Sequence, residues 1–145
     1  MNRRIVSFAW GLRLGHVSRL IAVHRALRDF GWDSLFLVER AQRMIADYQL
    51  PQVVIPTDRN SLIAEPLSGV EGMENPALAR LIINAVLSIN DVVLHDVIVH
   101  QDLYEQAARV GCRQMLIHRF HKNRPEIAVW VAQHAPSIQH VFVLL

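Results

Sequence analysis

The sequence predicts an α/β protein: a doubly wound, mostly parallel Rossmann-like sheet with helices on both faces, forming a single domain over residues 1–145. Three observations carry this. Short aliphatic runs alternate with longer segments of helical periodicity along the whole chain, the order that builds βαβ units. The aliphatic runs are nearly continuous rather than alternating with polar residues, as expected of strands buried on both faces. The chain is also 52% hydrophobic, enough for a fully packed core. Right-handed crossovers then place ligands beyond the carboxyl ends of the strands.

Each element follows from local pattern. Ile5–Ala9 is a short apolar strand flanked by charge, and the loop from Gly11 to Gly15 leads into a helix from about His16 to Phe30. Val17, Leu20, Ile21, Leu27 and Phe30 recur there at helical spacing, with Arg19, Arg25, Arg28 and Asp29 on the other faces. Gly31 supplies the stop. Ser34–Val38 reads as a second strand, Ala41–Tyr48 as a short helix, and Val53–Ile55 as a third strand closed by Pro56. Residues 57–74 form a long loop with no clear element, the kind of segment that is functional or disordered in compact domains. Asn75-Pro76 then gives a helix start, a capping side chain before proline at the first helical position. The stripe Leu78, Leu81, Ile82, Ala85, Val86 and Ile89 follows it as core packing. Asp91–His100 contains a strand, Asp102–Val110 a helix ended by Gly111, and Gln114–His118 another strand. Pro125–His134 is helical and Gln139–Leu145 is the last strand. The chain stops inside that strand, which fits either a natural end or a larger protein divided at a domain boundary.

Composition excludes several classes. With 15 basic and 13 acidic residues the formal charge is only +2, and the basic residues are scattered, so no nucleic-acid footprint is present. The single Cys112 rules out a disulfide framework and fits a reducing compartment. Arg3-Arg4 before Ile5–Leu12 mimics a short secretory signal, but no small-residue cleavage site follows and Arg13 interrupts the apolar run. A buried first strand accounts for it better. No stretch approaches the ~20 apolar residues of a membrane span. A cytoplasmic location is expected.

The first strand-to-helix turn, Gly11-Leu12-Arg13-Leu14-Gly15-His16-Val17-Ser18-Arg19, lacks the third glycine and the spacing of the dinucleotide fingerprint, and no supported acidic residue ends the second strand. No cofactor is therefore implied. Glycines at 11 and 15 would let the backbone approach a ligand, free N–H groups at a helix start attract anions, and Arg13 would add charge. His16 would sit in the first helical turn, where the helix dipole opposes protonation and favours a neutral, proton-accepting ring. Equally, His16 would simply cap the helix while Gly15 turns the chain.

These residues carry a resemblance. Gly15-His16-Val17-Ser18-Arg19, then Ala22, Ala26-Leu27 and Gly31-Trp32-Asp33, resembles the opening of GT-B glycosyltransferases, among them lipid II glucosaminyltransferases and UDP-sugar hydrolases. A weaker second match, Asp96-Val97-Ile98-Val99-His100 with Ala107-Ala108-Arg109-Val110-Gly111, is similar to that family's fourth strand and following helix. The resemblance implies an N-terminal, acceptor-side domain in which His16 deprotonates the acceptor hydroxyl and Gly15 lies near the donor diphosphate. It also implies an aspartate after the fourth strand that orients the histidine. That position falls on Gln101, with Asp102 one residue beyond, and Arg113 replaces a proline common before the fifth strand. The candidate catalytic residues are thus His16 and Asp102. The candidate phosphate- and substrate-binding residues are Gly11, Arg13, Gly15, Arg19 and Arg119.

The remaining signals are weaker. His118-x-x-His121, His95 and His100 have no thiolate or carboxylate at recognisable metal spacing, so no metal is expected. Ser18 and Ser88 lack a G-x-S-x-G elbow. Cys112 reads as a small buried side chain, and Trp10 either lines the glycine loop or joins the core. Arg119 follows the fifth strand with His118, His121 and Lys122, as phosphate ligands or as solvated loop residues. Three functional readings stand: glycosyl transfer from a nucleotide-sugar donor to an unidentified acceptor, hydrolysis of the nucleotide sugar with His16 activating water, and a non-catalytic scaffold. The first requires a second Rossmann-like domain or subunit. Self-association through the apolar C-terminal region is expected as well.

Overall fold

A computed structural model of the chain describes residues 3–10, 14–55, 62–63, 77–97, 99–119 and 127–144. Its elements in order are β1 (Arg4–Trp10), α1 (Leu14–Asp29), β2 (Asp33–Glu39), α2 (Gln42–Asp47), β3 (Gln52–Val54), β4 (Leu62–Ile63), α3 (Ala77–Val86), β5 (Asp91–Asp96), β6 (Val99–His100), α4 (Gln101–Val110), β7 (Arg113–Arg119), α5 (Ile127–His134) and β8 (Ile138–Leu144). Six strands form one sheet in the order β3-β2-β1-β5-β7-β8. Every pairing in it is parallel, so the doubly wound α/β expectation holds.

The aliphatic runs are strands because they are covered on both sides. In β1, five of the side chains from Ile5 to Trp10 are apolar and all six residues are buried. Alternate residues go to opposite layers. Ile5 and Ala9 join Val17, Leu20 and Ile21 of α1 and Ile45 of α2. Val6, Phe8 and Trp10 join Ile83 of α3 and Leu103 and Ala107 of α4. A third cluster puts Trp130 and Val131 of α5 against Leu116 and Ile138. Helices α1 and α2 thus cover one face, and α3, α4 and α5 the other.

One polar network lies inside this packing. His24 of α1, fully buried and stacked on Phe36, accepts from the Ser34 hydroxyl at Nδ1 (2.5 Å) and donates from Nε2 to Ser7 Oγ (3.0 Å). Ser7 in turn donates to the Leu94 carbonyl at 2.8 Å. The chain of bonds ties α1 to β2, β1 and β5, and it satisfies three buried polar groups at once. Burial pushes the His24 ring down to about 3, so it stays neutral. At the sheet's amino edge Arg4 holds the Asp91 carboxylate through Nε (2.9 Å) and a terminal nitrogen (2.7 Å), linking β1 to β5.

Helix ends fall where glycine permits them. Gly31 at φ +84° and Gly111 at φ +88° adopt the left-handed conformation that terminates α1 and α4, with Gly31 N–H bonded to the Arg28 carbonyl and Gly111 N–H to that of Ala107. The structure departs from the sequence reading in three places. Of the stripe expected to pack in the core, Leu78, Leu81 and Ile89 are exposed, and α3 buries Ala79 and Ile83 instead. Within the expected loop 57–74, Leu62–Ile63 forms a two-residue strand antiparallel to Val99–His100; its other residues lie outside the described ones. The strand expected within Asp91–His100 is divided: β5 ends at Asp96 and the chain turns at Val97, so β6 belongs to a separate small sheet. The helix starts expected at Asn75-Pro76 and Pro125 also lie outside the described residues. Among the described residues, no helix is long and apolar enough to cross a membrane.

Candidate functional site

The strand order reverses between β1 and β5, because the chain winds outward from β1 in one direction and resumes beside it in the other. Connections leave these two strands toward opposite faces, and sheets wound in this way bind ligands beyond the carboxyl ends at such a point. Trp10 closes β1 there and Asp96 closes β5. The first turns of α1 rise beside them, so His16 and Arg19, three residues apart, share one helix face at this edge.

Arg19 and Asp96 bridge the switch point. The guanidinium meets the carboxylate as a fork, Nε to Oδ2 at 2.8 Å and a terminal nitrogen to Oδ1 at 2.9 Å. The Asp96 side chain is fully buried, while that of Arg19 is 31% exposed. Immediately after Asp96, Val97 has φ +62°, a conformation that a β-branched side chain strongly disfavours. Its N–H is bonded to the Ile117 carbonyl at 2.8 Å, which helps hold the turn. Strain of this kind costs on the order of 1–3 kcal/mol and persists only where the surroundings over-determine it.

His16, in the first turn of the same helix, is 5% exposed. Its Nε2 accepts the Trp10 backbone N–H at 3.3 Å, so in this arrangement the lone pair is on Nε2 and the ring proton on Nδ1. To accept a proton at Nε2 the ring must first release Trp10, a long and therefore weak contact. Gly15, one residue earlier, is exposed, and a Cβ built on it would meet nothing within 4 Å. Packing does not demand glycine there.

The other sequence candidates separate. Asp102, in the first turn of α4, is fully buried and accepts from Arg80 Nε of α3 at 2.8 Å. It serves an α3–α4 ion pair. The carboxylate at the end of the fourth sheet strand in chain order is Asp96, five residues before the position that the motif alignment assigned. The run Asp91-Val92-Val93-Leu94-His95-Asp96 fills that strand, and its two flanking aspartates were the signal in the sequence. Gln101 starts α4 and donates to Glu105 at 2.7 Å. Arg119 ends β7 at the same carboxyl edge, its backbone paired in register with Leu144. Gly11 and Arg13 lie outside the described residues.

The histidines near this edge are structural in their contacts. His100 Nδ1 accepts the Leu103 N–H at 3.2 Å and so caps α4, while its ring lies 4.7 Å from that of Phe8. His95 Nε2 donates to Gln114 Oε1 at 2.8 Å, and the Gln114 amide donates to the Tyr104 carbonyl at 3.0 Å. Burial pushes His95 down to about 4 and, helped by the nearby His95, His100 down to about 3. Among the described residues no group of three His, Cys, Asp or Glu side chains could hold a metal ion. His121 lies outside them. Cys112 is buried, its thiol donates to the Ser88 carbonyl, and burial raises it to about 11.

Comparison of the chain with family models and with curated proteins finds no match.

Proposed function

We infer that this chain is the N-terminal, acceptor-side domain of a GT-B-like glycosyltransferase that uses a nucleotide-activated sugar, with a second Rossmann-like domain or subunit completing the donor site. The observation that carries the reading is the Arg19–Asp96 bridge at the switch point, with His16 one turn before Arg19 on the same helix. In this reading an imidazole, a fixed charge pair and the start of a helix stand together at the edge where sheets of this winding bind ligands.

In this reading the acceptor hydroxyl approaches past Gly15, and His16 swings from the Trp10 N–H to take its proton at Nε2. The acceptor oxygen bonds to the anomeric carbon while the bond from that carbon to the diphosphate oxygen breaks, and the nucleoside diphosphate leaves with the electron pair. Asp96 acts by holding Arg19, and through it the start of α1, in place. General base catalysis of this kind contributes about 10²–10⁴-fold in rate. If water takes the acceptor's place, the same steps give nucleotide-sugar hydrolysis.

A second reading, a non-catalytic binding or scaffold domain, draws its support from the burial of His16 and the engagement of its lone pair by Trp10. One experiment separates the two. Thermal melting is followed with a panel of uridine and guanosine diphosphate sugars, and release of nucleoside diphosphate is measured on those that bind. Transfer or hydrolysis predicts a ligand-dependent rise in Tm and turnover that falls about 10²-fold or more in His16→Ala with the fold intact. A nucleotide sugar that binds but turns over equally in His16→Ala removes the catalytic role. No shift with any nucleotide sugar, with a neighbouring gene's Rossmann-like partner present, leaves the scaffold.

A further inference from the structure

The amino edge of the sheet, opposite the candidate site, carries a polar cavity of about 230 Å³. It lies where β1, β5, β7 and β8 begin, and Arg3, Asn90, Asp91, Gly111, Arg113 and Gln139 line it. Register explains why two arginines meet there. Arg4 pairs with Asp91 and Val92 with Arg113, so Arg3 and Arg113 flank the start of β5 on either side. Arg3 stands two residues before Ile5 and Arg113 two before Met115, and both of those side chains pack on the face that α1 covers. Alternation along a strand sends both guanidiniums to that same face.

The chain does not balance this charge. Among the described residues neither Arg3 nor Arg113 makes a side-chain hydrogen bond or ion pair. Arg3 rests over the Trp32 ring, 5.8 Å from its centroid, a contact that uses none of its N–H donors. The one carboxylate among the described lining residues, Asp91, is already engaged. Its Oδ1 accepts from Arg4 Nε at 2.9 Å, and its Oδ2 accepts from an Arg4 terminal nitrogen at 2.7 Å and from the Ser88 N–H at 2.8 Å. Asp33 is exposed at the start of β2, two strands from β5, and does not line the cavity. A cleft carrying two positive charges and no free negative one concentrates anions.

We propose that this cavity is a phosphoryl-binding site: Arg3 and Arg113 hold the oxygens of one phosphate group from two sides, with the Gln139 amide as a further donor. Charge selects the group. A phosphoryl group carries about −1.5 to −2 near neutral pH and so matches two guanidiniums, whereas a carboxylate matches one. Guanidinium forks also fit phosphate oxygens in pairs. Size selects what the group is attached to. A cavity of about 230 Å³ is smaller than the roughly 300–1,000 Å³ of sites for drug-sized ligands. It takes phosphate or a small phosphate ester and excludes a whole nucleotide sugar. The site is also separate from the candidate site of the carboxyl edge, since β1 runs about 20 Å between them at 3.3 Å per residue.

Nitrogen-15 NMR of the full chain, titrated with inorganic phosphate at neutral pH and constant ionic strength, tests this. The Gly111 backbone amide and the Asn90 and Gln139 side-chain amides should shift and saturate, with a Kd on the order of 1 mM. Arg113→Gln and Arg3→Gln each weaken binding about tenfold. Both side chains are exposed, far-ultraviolet circular dichroism checks that each variant is folded, and either one suffices. Acetate binds about tenfold more weakly than phosphate. Glycerol phosphate separates the two sources of the group: tighter binding than inorganic phosphate makes a small ester the ligand, and equal or weaker binding makes it the free ion. Phosphate shifts confined to Gly15 and His16 would put the anion at the start of α1 and overturn the proposal. So would shifts that never saturate, acetate binding as tight as that of phosphate, or unchanged affinity in the arginine variants. None of these failures touches the reading of the carboxyl edge.

Discussion

Gly15 sits in the first turn of α1 where an added Cβ would meet only open space. A glycine in a helix costs roughly 0.5–1 kcal/mol relative to alanine, so Gly15→Ala should stabilise the fold by about that amount in urea unfolding. If the glycine admits a diphosphate to the helix start, the same substitution weakens nucleotide-sugar binding while raising stability. A variant that gains stability and keeps full ligand affinity would show that Gly15 has no part in the site. His16 illustrates what residue type alone leaves undecided. Its place at the strand-to-helix turn was legible from the glycine pattern, whereas its burial and the bond from Trp10 to Nε2 depend on how α1 packs against β1. The aspartate candidates show the same division. Asp102 was chosen by its distance along the chain, and packing gave it to Arg80, while Asp96 was brought to Arg19 across 77 residues of sequence.

Among the elements, the turn after β5 is the one that local propensity would not choose. Val97 is in the left-handed region, belongs to none of the three core clusters, and has its N–H fixed by Ile117. Asn tolerates this conformation far better than a β-branched residue and lacks the unfolded-state entropy of glycine. Val97→Asn should therefore raise the unfolding free energy by about 1 kcal/mol. A loss of similar size in a denaturant titration would mean that the valine side chain contributes packing that outweighs the strain. The elements themselves were largely readable, since β1, α1, β2, α4, β7 and β8 all lie within a few residues of where apolar periodicity and glycine stops put them. The division of β5 from β6 was not. The run from Val92 to His100 is apolar enough to continue as one strand, and only the competing pairs with β7 and β4 make it turn.

For the molecule as a whole, the buried histidines couple folding to pH. His24, His95 and His100 hold their rings near 3, 4 and 3 in the folded state, against an ordinary value of 6.5. Between about pH 6.5 and 4 the unfolded chain therefore binds protons that the folded chain refuses. Stability is present above pH 6.5 and is lost as pH falls. Each ring contributes up to about 1.4 kcal/mol per pH unit, and the three together up to about 4. Against a typical total of 5–15 kcal/mol, unfolding midpoints should drop steeply between pH 6 and 4.5. A flat denaturation profile across that range would show that these rings titrate freely in the native protein.

The amino-acid pattern by itself determined the class of architecture. Continuous aliphatic runs can satisfy their backbone and bury their side chains only as inner parallel strands, and the helices between them have one apolar stripe each to lay on the sheet. It also determined at which edge of the sheet the strand-to-helix turns gather, since right-handed crossovers leave few choices. Only the tertiary structure decided which charges meet and which histidines are sealed from water. Those outcomes depend on contacts between residues far apart in the chain. A carboxylate's partner or an imidazole's proton is set by the nearest groups in space, for which spacing along the sequence has no measure.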